Sequence, residues 1–328
     1  MGKDGLKSFD VGDSFTGFCI IRKTELKYKH DGKAYLSLDL GDKSGRMPAK
    51  IWRGAEEYYG NLKAGQLVKI KGKIQNYMER KELHVERIRI ATKEEEAKIE
   101  EMVPVSQKDV KLLKEKFSKH LQAIENEHLQ ELLQIILPDD DSLESYLKMP
   151  SGKLWHHNYL YGSLEHLVCL LDLSDVLIDH YPAIQKDLFK SAIILHNIGN
   201  DREHDYYGFI DYTTEGRLIG HVVLGYQMVH SAIAQIENFP ENLRLQLLHL
   251  ILSHEGNREK TSAVMPMTLE GILLNLLDEV DVSANATTRI IKYDRVPESE
   301  WTRYNNLLER FIYVGNETGD HHTGKQNK

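Results

Sequence analysis

Two hydrophobic periods divide this chain. Within residues 1–92 the apolar positions alternate with polar ones. Leu36, Leu38 and Leu40 are interleaved with Tyr35, Ser37 and Asp39. After the turn Gly41-Asp42-Lys43-Ser44-Gly45 the pattern resumes at Met47, Ala49 and Ile51, with Arg46, Lys50 and Trp52 around them. A period of two is that of a strand with one buried face. Ala55 to Leu62 reads as a short helix, after which Val68, Ile70 and Ile74 alternate with Lys69, Lys71 and Lys73. Leu83, Val85, Ile88 and Ile90 predict a last strand whose change of phase marks a bulge. About five strands with one helix before the fourth predict a small Greek-key barrel of the OB type.

Residues 93–110 are charged (Lys93-Glu94-Glu95-Glu96) and read as a linker or exposed helix. Residues 111–312 then carry helical period, punctuated by Pro138, Pro150, Pro182, Pro240 and Pro266. Proline starts or ends helices, so this punctuation predicts roughly eight of them. Residues 313–328 are polar and read as a disordered tail. The expected fold class is multidomain α and β, an N-terminal OB-type β-barrel followed by an all-α helical bundle.

Several histidines stand where core residues belong. His196 continues the stripe Phe189, Ala192, Ile193, and His254 ends the stripe Leu243, Leu247, Leu250, Ile251. His221 opens another with Leu224, Gly225 and Met228, while Gly162, Leu170 and Leu173 flank His166. Residues three, four and seven apart share one helix face, so these imidazoles point inward. One inward histidine is usually a core residue with a hydrogen-bond partner. Four of them, with Asp278 on the inward face of Gly271 and Leu274, are satisfied together by one or two cations. Imidazole with carboxylate suits Mn²⁺, Fe²⁺, Zn²⁺ or Ni²⁺.

Charge is unevenly shared. Residues 1–92 hold 19 Lys/Arg against 12 Asp/Glu, and the remainder 23 against 38, so balances of +7 and −15 sum to the net −8. A basic half suits a polyanion and an acidic half suits cations. Tyr35, Ser37, Lys50 and Trp52 fall on the outer face of the barrel, with Lys27, Tyr28 and Lys29 in the preceding loop and Lys71 in a lysine ladder. Rings beside cations suit single-stranded nucleic acid. A solvated strand face or a protein-interaction module has the same composition. Two cysteines, Cys19 and Cys169, make neither a disulfide framework nor a thiolate zinc site. No apolar run is long enough for a membrane span, and the segment MGKDGLKSFDVGDSF has no secretory character. A cytoplasmic location is expected. Ile135-Ile136-Leu137, read as an exposed apolar helix face, would allow a homo-oligomer.

Leu195-His196-Asn197-Ile198-Gly199 resembles the signature of the HD-domain metal-dependent phosphohydrolases. The order Gly162-Ser163-Leu164-Glu165-His166, Leu195-His196-Asn197, Gly220-His221-Val222-Val223-Leu224-Gly225, Leu252-Ser253-His254 and Leu277-Asp278 is similar to one branch of them. That branch is the YhaM type of bacterial 3′→5′ exoribonuclease, an OB fold joined to an HD domain. Trp155-His156-His157, Tyr212-Thr213-Thr214-Glu215-Gly216-Arg217 and Val264-Met265-Pro266-Met267-Thr268-Leu269-Glu270 add to the likeness, which spans roughly residues 14–290.

The resemblance implies that His166, His196, Asn197 and Asp278 take the primary metal positions. His221 and His254 would hold a second metal or the scissile phosphate. His157 and Arg217 would contact substrate phosphate. The implied chemistry is hydrolysis of single-stranded RNA or DNA from a 3′ end with divalent ions, Mn²⁺ first among them. Three positions depart from the family pattern: Asn197 replaces an Asp, Asn200 a Lys, and Glu255 a second His. Asn keeps a carbonyl oxygen without charge, so metal affinity is expected to fall. Two other functions fit parts of this pattern. One is a catalytically degenerate HD scaffold that binds nucleic acid, and the other is a nucleotide or cyclic-dinucleotide phosphohydrolase.

Overall fold

The computed structural model describes residues 5–77, 80–153, 156–206, 210–256, 262–296, 299–306 and 308–315. Five strands, β1 (Ser14–Tyr28), β2 (Ala34–Asp42), β3 (Gly45–Ile51), β4 (Leu67–Tyr77) and β5 (Arg80–Ile90), close a barrel in the order β1-β2-β3-β5-β4. The alternation explains the register. Leu36, Leu38 and Leu40 lie opposite Ile51, Ala49 and Met47, and all six are buried. Helix α1 (Ala55–Asn61) precedes β4, as the pattern predicted.

The first strand shows no clean alternation in the sequence because it serves two neighbours. Its first half pairs with β4 and its second half with β2, with a register break between Ile21 and Lys23. Cys19, Ile20 and Ile21 are consequently all buried. A long strand bent in this way is how a small barrel closes. The expected bulge in β5 is present: Lys71 pairs with Arg87 and Gly72 with Val85, leaving Glu86 unpaired in the ladder. A Cβ on Gly72 would stand 2.4 Å from the His84 carbonyl oxygen, so the bulge requires glycine there.

Residues Lys93–Met102 form a 3₁₀ helix, and ten α-helices follow among the described residues. They are α2 (Val110–Gln122), α3 (Glu127–Ile136), α4 (Asp140–Lys148), α5 (Gly162–His180), α6 (Lys186–Leu195), α7 (Asn200–Glu203), α8 (Thr214–Ile219), α9 (His221–Ile233), α10 (Glu241–Ser253) and α11 (Leu269–Tyr293). Proline punctuation undercounted them because α7 and α8 are bounded by glycines and a small β-ribbon instead. That ribbon pairs β6 (His204–Asp205) with β7 (Asp211–Tyr212). Asp109, Asn126, Asp139, Thr213 and Thr268 cap their helices through side-chain oxygens. The core surrounds α5, whose Leu164, Leu167, Val168, Leu170 and Leu171 are buried where it packs against α2, α4, α6 and α11.

Two expectations need correction. The described residues between 294 and 315 are not helical; they form isolated bridges such as Arg295 with Thr302 and Trp301 with Tyr313. Ile135, Ile136 and Leu137 pack against the helical core instead of forming an exposed face, since the amphipathic side of α3 turns them inward. The tail assigned from 313 lies mostly at 316–328, outside the described residues, as does Trp155. Among the described residues, no helix is long and apolar enough to cross a membrane.

Candidate metal centre and nucleic-acid interface

Helix ends converge at the candidate centre. His196 caps the C-terminus of α6 and His254 that of α10, His221 opens α9, His166 lies in α5, and Asp278 and Asp281 lie in α11. The carbonyl ends of two helices therefore face one space, where the helix dipole favours a cation. The rings form a continuous row: His157–His166 centroids are 5.6 Å apart, His166–His196 5.4 Å, His196–His254 5.1 Å and His254–His221 5.5 Å.

Hydrogen bonds fix which nitrogen of each ring faces inward. His196 Nδ1 donates to the Ile193 carbonyl at 2.7 Å and His254 Nδ1 to the Ile251 carbonyl at 2.8 Å. Both rings therefore present Nε2 as a lone pair. The Nε2 of His254 is buried with no hydrogen-bond partner among the described residues. His166 Nδ1 donates to Asp281 at 2.7 Å, which aims its Nε2 at Asp278 (3.2 Å) and at His196 Nε2 (3.3 Å). His221 Nδ1 meets Glu203 at 3.3 Å and its Nε2 meets Glu255 at 3.3 Å, with His254 Nε2 3.6 Å from the same Glu255 oxygen.

These spacings suit shared cations. Ligand atoms 2.0–2.1 Å from a metal stand about 3.0 Å apart at octahedral angles and about 3.4 Å at tetrahedral ones. Two triads fit, His166–His196–Asp278 and His221–His254–Glu255. A third grouping, His157–His166–Asp281, is different. Its contacts of 2.7 and 2.8 Å are ordinary hydrogen bonds from two imidazoles to one carboxylate oxygen. Asp281 thus orients His166 from behind, as carboxylates do for metal-binding histidines. The buried, unpartnered Nε2 of His254 and the imidazole–carboxylate donor set both fit a divalent metal.

Electrostatics divide the rings. Burial lowers the pKa of His166, but hydrogen bonds to Asp278 and Asp281 outweigh it and raise the value to about 9. His221 reaches about 9 in the same way through Glu203 and Glu255. Burial, reinforced by neighbouring imidazoles, holds His196 well below its ordinary value and lowers His254. His156, half-buried with its ring centre 5.6 Å from that of His166, falls to about 3 because desolvation disfavours its charged form. Burial would raise Asp278 and Asp281, yet the adjacent histidines hold both well below the carboxylate range. A cation therefore finds two neutral rings ready and displaces protons from two others.

Not every expected residue takes its expected place. Asn197 is at the centre, its Nδ2 donating to His196 Nε2 at 2.7 Å. His157, which the resemblance puts at substrate phosphate, is buried, its Nε2 2.8 Å from Asp281 and its Nδ1 3.0 Å from the Tyr159 hydroxyl. Arg217 lies on the surface, paired with Asp211 at 3.0 Å and 5.6 Å from the Tyr212 ring centre. Lys153 pairs with the same Asp211 and stands 5.1 Å from that ring. Asn200 is buried and donates to the Ser151 carbonyl at 3.2 Å. Sequence reading missed Glu203 and Asp281 as supports. Asp281 had a signal, since it follows Asp278 by three positions on α11; Glu203, in a four-residue helix, had none.

On the barrel, Tyr35 and Trp52 lie with ring centres 5.0 Å apart, and Lys29 Nζ stands 4.1 Å from the Trp52 ring. Trp52 Nε1 donates to His84 Nδ1 at 3.4 Å. A groove of about 430 Å³ opens beside them, lined by Trp52, Arg53, Tyr58 and Arg87. Lys71 is exposed on β4. Lys50 corrects the strand-pattern expectation: it points outward but is buried, held by Glu82 at 2.9 Å beneath the Tyr77 ring. Its charge is met by Glu82 and its side chain is only 11% exposed.

Comparison with known proteins follows the same division. The OB-fold nucleic acid binding domain profile matches residues 20–91, and the HD domain profile matches residues 163–283. The chain is 30% identical over 293 residues to a 3′-5′ exoribonuclease YhaM of Listeria welshimeri, covering 89% of this chain and 93% of that one. A 3′-5′ exoribonuclease YhaM of Listeria monocytogenes serotype 4b is 29% identical with the same coverage. Among solved structures, the second OB-fold domain of replication protein A from Methanococcus maripaludis is similar at 19% identity and a TM-score of 0.23, covering 27% of this chain and 93% of that chain.

Proposed function

This chain belongs to the YhaM family of 3′→5′ exoribonucleases, and from that premise we propose that it removes nucleotides from the 3′ end of single-stranded RNA. The observation that carries the reading is the pair of imidazole–carboxylate triads, side by side on converging helix ends. We assign the barrel, residues 1–92, to holding the strand and the helical domain, residues 111–312, to hydrolysis. Divalent ions, with Mn²⁺ our choice, supply acidified water and charge neutralisation at the phosphodiester when bound. His166, His196, Asn197 and Asp278 would hold one, and His221, His254 and Glu255 another.

The chain's own residues do the rest. Carbonyl hydrogen bonds keep the Nε2 atoms of His196 and His254 aimed inward. Asp281 and Glu203 set the rings of His166 and His221. Arg217 and Lys153, clustered at Tyr212, form a cationic lip for the backbone of the arriving strand. Tyr35 and Trp52 supply stacking surfaces and Lys71 supplies charge on the barrel. Such a chain would work in solution, in the cytoplasm.

A digestion series tests this. Single-stranded RNA labelled at its 5′ end should yield a ladder shortening from the 3′ end with Mn²⁺ and none with EDTA, and a blocked 3′ end should resist. Faster hydrolysis of free nucleotides or cyclic dinucleotides than of RNA would refute the substrate assignment. Asn197 favours a second reading, a scaffold without catalysis. Intact RNA after incubation with ion-loaded protein would establish it.

A further inference from the structure

We propose that the tight divalent-cation site of this chain is the His221–His254–Glu255 triad, and that His166–His196–Asp278 is the weaker position. The difference lies in the two inward lone pairs. His196 Nε2 accepts a hydrogen bond from the Asn197 amide at 2.7 Å, so a cation must first displace that amide. The Asn197 carbonyl returns no charge for the exchange. His254 Nε2, by contrast, is buried and accepts nothing among the described residues.

Glu255 places one oxygen 3.3 Å from His221 Nε2 and 3.6 Å from His254 Nε2. Those are the edges of a coordination polyhedron of about 2.1 Å radius. Both rings are already oriented from behind, His221 by Glu203 and His254 by the Ile251 carbonyl. Glu255 is also 28% exposed at its side chain, which leaves an open side for water or phosphate. The carboxylate missing at position 197 thus reappears across the row of rings, beyond His254. This shifts the strongest ligand set from one triad to the other. The inference rests on the metal-dependent reading above, not on RNA as substrate.

Mn²⁺ titration of the full chain, followed by electron paramagnetic resonance of the free ion, tests it without any cleavage assay. One tight ion per chain is expected. Glu255→Gln should weaken it at least about tenfold, because losing a direct ligand exceeds losing an outer-shell support. His166→Ala should leave that ion bound, and Asn197→Asp should add a second tight one. Melting curves of each variant in EDTA identify any that fail to fold. Loss of the tight ion in folded His166→Ala with retention in Glu255→Gln would overturn the assignment, as would two equal sites in the unaltered chain. A chain that binds no Mn²⁺ would overturn this inference and the metal reading together. A chain that binds it as expected yet spares RNA would remove only the proposed substrate.

Discussion

Replacing Gly199 by alanine should disturb the metal centre without touching a ligand. Gly199 follows the His196-Asn197 turn and lies against the first turn of α9. A Cβ there would stand 2.0 Å from the His221 carbonyl oxygen and 2.6 Å from the Gly225 nitrogen. Gly225 reciprocates, its own added Cβ lying 3.3 Å from the Gly199 nitrogen. The Gly199 backbone itself is α-helical, φ −65, so alanine is penalised only by the clash. Ordinary carbon contacts lie at about 3.5–4.0 Å, so α9 must retreat by about 1.5 Å. That retreat draws His221 away from Glu255 and His254. Overpacking of this kind costs about 3 kcal/mol, or about 6–12 °C in the melting temperature of a domain this size. A displacement of about 1 Å at a catalytic group lowers turnover about 100-fold. Scanning fluorimetry in EDTA reads the first effect, and Mn²⁺-dependent RNA digestion reads the second. Gly60→Ala is the control, because nothing lies within 4 Å of its Cβ. If Gly199→Ala melts and digests RNA like that control, the glycine crossing does not set the spacing of the site.

Three further outcomes are expected. Asn197→Asp should raise Mn²⁺-dependent RNA degradation at least about tenfold, since a carboxylate about 4 Å from a divalent cation gains about 8 kcal/mol at an effective dielectric constant of about 20, before desolvation; an unchanged ladder in an ion-loaded variant would place the defect elsewhere. Trp52→Ala should weaken single-stranded RNA binding by about 1–3 kcal/mol, measured by fluorescence anisotropy in EDTA, where no cleavage intervenes. An unaltered dissociation constant would remove the barrel platform. The metal-free chain should be most stable near pH 6.5. His166 and His221, raised to about 9 in the fold, contribute stability that is full below 6.5 and is lost as pH rises through 9. His156, lowered to about 3, stays neutral in the fold while the unfolded chain takes up a proton, so stability also falls as pH drops from 6.5 towards 3. Each proton contributes a slope of about 1.4 kcal/mol per pH unit. Urea melts in EDTA at several pH values check this, and a flat profile would contradict it.

Much of the architecture was legible in the sequence. Alternation and helical period are local properties, and they predicted the barrel strands β2 to β5, the β5 bulge and the change to a helical domain. The inward histidines were legible for the same reason, because a helix converts spacing into a common face. Strand β1 was not, since a strand that bends across two partners buries consecutive residues and has no single period.

What only tertiary structure decided is which inward group answers which. Spacing turned His166 inward and the family resemblance put His157 at substrate phosphate, but the packing of α11 brought both rings to one Asp281 oxygen. Lys50 was readable as outward, whereas Glu82 and the Tyr77 ring closing over it came from β5 and β4. The substitutions at 197 and 255 were visible in the sequence as departures from the family pattern, with Glu255 readable as a returning anionic ligand. Folding sets the rings of His196 and His254 5.1 Å apart, with a neutral amide beside one and a carboxylate beside the other. Periodicity is a one-dimensional record of which side faces inward. Coordination depends on distances between segments far apart in the chain, and those exist only once the helices have packed.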